Sequence, residues 1–584
     1  MATETASSGD ANGRANGDAW HDEHTDTTSD AAEQEPPAGS DDPGSGGKAM
    51  RSSMVMAVGT TVSRLTGFAK VMVLAAALGT QLLGDAYNTA QTIPFIINDL
   101  LLGGLMVSVI IPFLVKRRKR DADGGVKTEN RLFTGAVVLL FAVTAAAIAA
   151  SELLIRLYAS EFTPTQADVS VYLARFLLAQ IFFVGLSGLV SAMLNTRDKF
   201  GAPVWAPVLN NLVIITVGCL FLWIAGPGKT PESVTQSELT LLGLGTTSGM
   251  ALQTLVLLAS VYRTGFRWRP RLDLRGSGLG EALRAAGWML LYTLMTQLGL
   301  LITTNIATRA GVASVQADTD VGAGITAYNY AYQLFQLPYA IIAVSLITVL
   351  LPRMSGNVEE GNWEEVRAGF SRTLRVSALV LVPLGLATAI FATQVATLIF
   401  ARGSTSTADA HNIGSVLAVM ALGLVPFTIF QLMLRVFYAM SDTRTPALIS
   451  IANVAVHGTL AVTAYMILPP DQVVIGVAAG FMFSFVTGLS IAGAILSRRL
   501  NGLDGRHICR TLLRLYLAAA PSVAVGLLTL RLFGGLFGAG LATNIGAPLT
   551  GCVAGGALFL LCARLLRIRE LDSVLHLVRT RLKR

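Results

Sequence analysis

The chain is predicted to be an all-α polytopic membrane protein of about fourteen transmembrane helices. Twelve form two six-helix lobes related by a pseudo-twofold axis along the membrane normal, and two more follow at the C-terminal end. Three observations predict this. Hydrophobic residues make up 53% of the 584 and charged residues 14%, with a mean hydropathy of +0.59, far from soluble globular usage. Apolar stretches of about 20 residues, enough to cross a bilayer, recur from residue 54 to residue 567. The sequence also repeats itself: Tyr87-Asn88 is echoed by Tyr328-Asn329, 241 residues on, Pro112 by Pro352 at 240, and Pro203 by Pro446 at 243. Three echoes in register indicate a duplicated half, and an even number of helices per copy keeps both copies in the same orientation.

Residues 1–50 stand apart. They hold eleven Asp and Glu against Arg14 and Lys48, with much Gly, Ser, Thr and Pro, and are expected to be a disordered acidic cytoplasmic tail. The expected spans lie near 54–79, 87–115, 131–157, 169–194, 203–226 and 238–262 in the N-lobe, residues 51–263. A basic cytoplasmic linker follows at 264–281. The C-lobe, 282–498, holds spans near 284–311, 323–351, 372–399, 411–438, 446–468 and 472–497. Two further spans, near 510–533 and 546–567, occupy 499–567, and a basic cytoplasmic tail closes the chain at 568–584. Placing the tail inside puts KRRKR at 116–120, the arginines at 263, 267, 269, 271 and 275, and Arg498-Arg499 on the cytoplasmic side, as the positive-inside rule requires. Both termini are therefore expected in the cytoplasm of a multi-pass cell-membrane protein.

Charges inside spans cost about 2.5–3.5 kcal/mol on insertion scales and face a cavity or a partner. The first span has two, Arg64 and Lys70, lying 120° apart around a straight helix, with Gly67 between them. The second brings Asn98 and Asp99 to mid-depth. These cations predict a water-filled cavity for an anionic headgroup, tuned by Asp99; an ion pair between Asp99 and Arg64 or Lys70 is the structural alternative. Asp85 reads either as an N-cap for the second span or as a gating or ion-coupling group. Gln297, Arg309 and Gln333 are further candidates for the cavity wall in the second lobe, although Arg309 and Arg435 also suit snorkelling or positive-inside anchors. Cys219, Cys509, Cys552 and Cys562 are widely spaced, so small buried hydrophobes explain them better than a disulfide or metal set. No nucleotide-binding loop, histidine metal pair or nucleophile with a matched base is present, so no cofactor, metal, catalytic residue or nucleic acid is expected, and membrane potential or an ion gradient must supply the energy.

Four segments carry a resemblance: SRLTGFAK at 63–70, GDAYNTAQTIPFIINDLLLGG at 84–104, LNTRDKFGAPVWAPVLNN at 194–211 and FYAMSDTRTP at 437–446. They resemble the MurJ/MviN lipid II flippases of the multidrug/oligosaccharidyl-lipid/polysaccharide exporter superfamily. The LLLGG run and the long polar N-terminal extension are similar to the actinobacterial branch. The resemblance implies fourteen helices and outward movement of the undecaprenyl-pyrophosphate-linked peptidoglycan precursor by alternating access, for cell wall synthesis. The substrate is then a polyprenyl-linked sugar-peptide lipid, its tail held by the last two helices, with membrane lipids and cell wall synthesis or division proteins as partners. Arg64, Lys70 and Asp85 fall on positions the family fills with two cations and an acid. Many members carry an arginine pair at Asn98 and Asp99, a glutamate at Gly103 and an arginine at Gln333, so fewer cations face the cavity here.

Other superfamily transporters, whether a polysaccharide-precursor flippase or a cation-coupled drug exporter, are the alternative function. A membrane-embedded sugar transferase would need clustered carboxylates beside the membrane. Glu359, Glu360, Glu364 and Glu365 suit a solvated amphipathic surface instead.

Overall fold

The computed structural model describes residues 43–103, 126–197, 199–271, 287–319 and 321–571. Most of the acidic tail, the KRRKR loop, most of the basic linker and most of the C-terminal tail lie outside them. Among the described residues there is no strand. The chain divides into Met1–Met54 and a unit spanning Val55–Arg584, which contains everything discussed below.

The N-terminal half comprises α1 (Pro43–Leu78), α2 (Leu82–Asn98, prolonged by a π-turn at Asp99–Gly103), α3 (Val126–Ala149), α4 (Ser151–Tyr158), α5 (Pro164–Leu177), α6 (Gln180–Asn195), α7 (Gly201–Ala225) and α8 (Gln236–Arg263). The C-terminal half comprises α9 (Gly287–Gln316), α10 (Ile325–Glu359), α11 (Trp363–Phe400), α12 (Thr407–Leu422), α13 (Leu424–Ala439), α14 (Arg444–Ile467) and α15 (Val473–Arg499). The pair α16 (Gly505–Phe537) and α17 (Leu541–Leu565) completes the chain and packs on α11.

Among the described residues, eleven helical segments are long and apolar enough to cross a membrane, or twelve if α12 and α13, bent by 51°, count as one span. Trp223, Met466 and Leu536 are 82%, 78% and 75% exposed, a placement that water would penalise and lipid does not. The protein is thus a multi-pass membrane protein.

Several expected spans are interrupted. The stretch at 131–157 breaks at Ala150, that at 169–194 at Leu178-Ala179, and that at 411–438 at Gly423. Gly423 is buried under Met482 with no room for a side chain, so the break belongs to close packing of α15 against the bend. Helix α1 starts at Pro43, ahead of the expected first span, and α11 starts at Trp363 because Asn362 Oδ1 caps it through Glu365 N at 3.2 Å.

Buried side chains of the N-terminal half centre on α2, α5, α7 and α8, and those of the C-terminal half on α10, α11, α13 and α15. One close contact recurs between the halves. A Cβ on Gly249 of α8 would stand 2.7 Å from Asn210 Oδ1 of α7, and one on Gly488 of α15 would stand 2.5 Å from Asn453 Oδ1 of α14. Asn210 and Asn453 are 243 residues apart, matching the prolines of the sequence repeat. Glycine at both places lets each helix pair close around an asparagine, buried at Asn210 and half-buried at Asn453.

Candidate functional site

The two halves meet along α1 and α2 on one side and α9 and α10 on the other. On α1 the positions Arg64, Phe68, Val71 and Ala75 recur at helical spacing and form one face. Ala75 is 0% and Val71 4% exposed in the core shared with Ile306, Ala307 and Ala310 of α9, Phe68 is half-buried against that core, and Arg64 is exposed. The same face thus goes from sealed to open within about three turns. Helix α2 behaves alike: Asp85 is buried, Phe95 is 39% exposed and Asp99 is exposed. On α10, Thr326 is buried, while Gln333, two turns along on the same face, is exposed. A cleft between the halves therefore closes at the α1–α2 turn and opens toward Arg64, Asp99 and Gln333.

The closed end is built from hydrogen bonds. Asp85 is not the N-cap of α2; Gln81 holds that position, and Asp85 lies within the first turn. Its carboxylate caps a different helix: Thr326 N, in the first turn of α10, donates to Asp85 Oδ1 at 2.9 Å. The N-cap of α10 is Gly324, which has no side chain to do this, and a Cβ on Gly324 would overlap the Asp85 carboxylate. An anion at a helix N-terminus satisfies orphan N–H groups and the positive end of the helix dipole together. Asn88 Nδ2 donates to Thr326 Oγ1 at 3.1 Å. The last carbonyls of α1 are satisfied by the α11–α12 loop, with Thr405 Oγ1 donating to Ala75 O at 2.7 Å and Ser404 Oγ to Ala77 O at 3.0 Å.

The remaining candidates have distinct positions. Lys70 is half-buried, on the α1 stripe that faces α7 through Thr66 and Gly67, and is without a carboxylate partner among the described residues. Arg64 likewise forms no ion pair there, so the pairing of either cation with Asp99 is not formed. Asp99 Oδ2 instead accepts from Gln297 Nε2 at 3.2 Å, a bond between the halves. Asn98 is buried and donates to Ile181 O at 2.8 Å, which commits it to α6. Arg309 is held at the closed end by Asn305 Oδ1 at 2.9 Å, Ser160 Oγ at 2.9 Å and Glu161 at 3.7 Å, away from the open cleft.

Sequence reasoning missed a second cavity, of about 260 Å³, within the C-terminal half. Its wall includes Thr296, Thr303, Asn329, Gln431, Asn453 and His457, set among aromatic rings. His457 Nε2 and Thr303 Oγ1 are 2.8 Å apart, whereas His457 Nδ1 and Asn453 Oδ1 have no hydrogen-bond partner among the described residues. The signal was a histidine in the middle of an apolar span, which a search for metal spacing passes over. Among the described residues no group of His, Cys, Asp and Glu is arranged to hold a metal.

A family model described as lipid II flippase MurJ matches residues 74–545. A probable lipid II flippase MurJ from Rhizobium meliloti is 28% identical over 479 residues, covering 80% of this chain and 84% of its own. The lipid II flippase MurJ of Burkholderia cenocepacia is 29% identical over 402 residues, covering 67% and 73%. Among solved structures, lipid II flippase MurJ in an inward closed conformation superposes with a TM-score of 0.69 at 18% identity, over 88% of this chain and 98% of that one. An inward-facing MATE multidrug transporter of the MOP superfamily gives 0.61 at 17%, over 77% and 98%. At these identities the structural likenesses establish the fold. With the family model spanning most of the sequence, the chain belongs to the MurJ family of lipid II flippases.

Proposed function

We propose that this protein moves lipid II from the inner to the outer leaflet of the cytoplasmic membrane by alternating access, for peptidoglycan synthesis. The observation that carries the reading is the gradient along α1, from Ala75 in a sealed core to an exposed Arg64 on the same face, without an ion-pair partner among the described residues. A diphosphate entering such a cleft loses hydration, and a fixed guanidinium offsets the loss with charge-assisted hydrogen bonds. The loop charges support a sealed end outside and both termini inside, and in that orientation this conformation receives substrate from the cytoplasm.

Fourteen spans in two lobes about a pseudo-twofold axis remain our reading of the architecture. The Asn210–Gly249 and Asn453–Gly488 contacts support it. Membrane potential, worth about 2.3 kcal/mol per charge per 100 mV, or an ion gradient drives the cycle. The test is depletion of the protein in cells whose lipid II is probed from outside by a membrane-impermeant lipid II-cleaving enzyme. Depletion is expected to protect lipid II from cleavage; undiminished cleavage in fully depleted cells refutes the proposal.

A further inference from the structure

The cavity inside the C-terminal half, walled by α9, α10, α13, α14 and α15, has no occupant assigned by the reading above. Among the described residues of its wall there is no Lys, Arg, Asp or Glu. Its polar groups lean in one sense. Thr303 Oγ1 donates its one hydrogen to Gly299 O at 3.0 Å, so toward His457 it accepts; Nε2 then carries the imidazole proton and Nδ1 keeps a bare lone pair. Ser450 and Ser484 donate to Ala447 O and Phe481 O, both at 2.7 Å, which leaves them only lone pairs to offer. Ser450, Asn453 and His457 recur at helical spacing along one face of α14. His457 is 3% exposed, and an acceptor buried without a donor is costly. The fold does not demand it: 243 residues earlier, the interval of the repeat, the corresponding residue is Ile214, which is buried.

These features select a class of ligand. An anion is repelled by a wall of lone pairs, and a cation finds no carboxylate there to offset its lost hydration. A void of about 150 Å³ is enough for benzene. The 260 Å³ here therefore takes a six-membered ring with its substituents, far more than a lone ion or water needs. The aromatic part of the wall is locked edge to face, with the Phe481 ring centred 6.4, 6.0 and 4.9 Å from those of Tyr328, Tyr332 and Phe485. An uncharged pyranose matches both parts of the wall: its hydroxyls donate to the bare acceptors, and its C–H faces lie on aromatic rings. The rim of the cavity reaches the cleft. Thr296, in the wall, is exposed beside Gln297, whose bond to Asp99 joins the halves, and Asn329 stands between buried Thr326 and exposed Gln333 on one face of α10.

We propose that this cavity binds the sugar ring of the headgroup that carries no peptide, while Arg64 takes the diphosphate. The proposal rests on the reading of lipid II as substrate and adds the place where its terminal sugar is recognised. The ring that bears the peptide brings carboxylates with it, and the uncharged, acceptor-rich wall excludes those.

The test uses the full-length protein in phosphatidylcholine nanodiscs loaded with lipid II or with the same lipid lacking its terminal sugar, and retained lipid is counted by native mass spectrometry. Wild type is expected to retain lipid II about tenfold over the truncated lipid. His457→Phe, which keeps a ring and deletes Nδ1, and Asn453→Leu are each expected to lower that ratio about fivefold, with retention of the truncated lipid unchanged. Ser450→Ala, which removes one acceptor and adds no bulk, keeps the site testable if either of these fails to fold, and is expected to lower the ratio about threefold. Arg64→Ala is expected to weaken retention of both lipids alike and so preserve the ratio, which separates diphosphate from sugar. A ratio near one in wild type, or an unchanged ratio in folded His457→Phe and Ser450→Ala, overturns the proposal, while translocation of lipid II is decided separately by its accessibility in depleted cells. Retention of both lipids raised equally by sodium would make the cavity a cation site and overturn it as well. Retention of neither lipid overturns it together with the reading of the cleft.

Discussion

Arg64 and Asp442 show two different uses of charge at a membrane protein's polar positions. Arg64 is exposed on the face of α1 that looks across the cleft, and nothing described pairs with it, so its value must be realised in binding. Arg64→Ala is expected to reduce transport by about tenfold or more, the scale of one charge-assisted hydrogen bond, while leaving membrane insertion intact. Arg64→Lys is expected to recover part of it, and Arg64→Ala with Asp99→Ala is expected to give no rescue, because Asp99 bonds Gln297 instead. Complementation at matched expression reads all three. Asp442, in the FYAMSDTRTP segment, is structural. Its carboxylate accepts from Thr445 N at 2.9 Å, Thr445 Oγ1 at 2.6 Å and Arg499 Nη1 at 2.5 Å, tying α14 to the end of α15. Burial pushes its pKa up, but the bonds from Thr445 and Arg499 outweigh burial and hold it below the ordinary 3.8. A depressed value means that the bonds stabilise the fold fully above the unfolded constant and fail as pH falls through the folded one. Melting temperatures of purified protein from about pH 6 to about pH 3 are expected to fall less steeply for Asp442→Asn than for wild type. Parallel curves would remove Asp442 from the acid response.

At the scale of elements, α10 is completed by a residue that it does not contain. Gly324 at its start leaves the cap to Asp85, so the strength of the seal depends on the space a single hydrogen occupies. Gly324→Ala is expected to break the Asp85–Thr326 bond and cost about 1–3 kcal/mol by overpacking. Gly188→Ala in α6, where a Cβ meets nothing within 4 Å, is the matched neutral change. Thermal denaturation in detergent separates them, and equal melting points would show that the seal tolerates the methyl group. This element also marks what the sequence could and could not express. Helix positions were legible because about 20 apolar residues in a row permit little else in lipid. The interruptions at Ala150 and Gly423 were not, since hydropathy is indifferent to whether an apolar stretch bends. Asp85 was legible as a capping residue but not the helix that it caps, because the partner lies 241 residues away.

For the whole molecule, the bonds across the sealed end must break each time the cleft opens on the other side. Ser160 and Asn305 belong to opposite halves, with Ser160 Oγ 3.4 Å from Asn305 Nδ2. Cysteines at both positions, in a chain with Cys219, Cys509, Cys552 and Cys562 replaced by serine, are expected to be bridged by a short bifunctional methanethiosulfonate. Bridging is expected to arrest transport, and a reducing agent to restore it. Full transport by fully bridged protein would mean that this seam never parts. The spacing of the seal has a further consequence. Asp85 and Thr326 are separated by 241 residues, the interval of Tyr87 and Tyr328, so each stands at the other's counterpart position and the two touch. Had both copies kept the ancestral residue, like would have met like: two carboxylates repelling, or two hydroxyls with neither able to serve as the anion for a helix terminus. An assembly of identical subunits is bound to that choice, because one gene writes both sides. Two halves that differ within one chain escape it: one position supplies the carboxylate and the other the helix terminus that it caps.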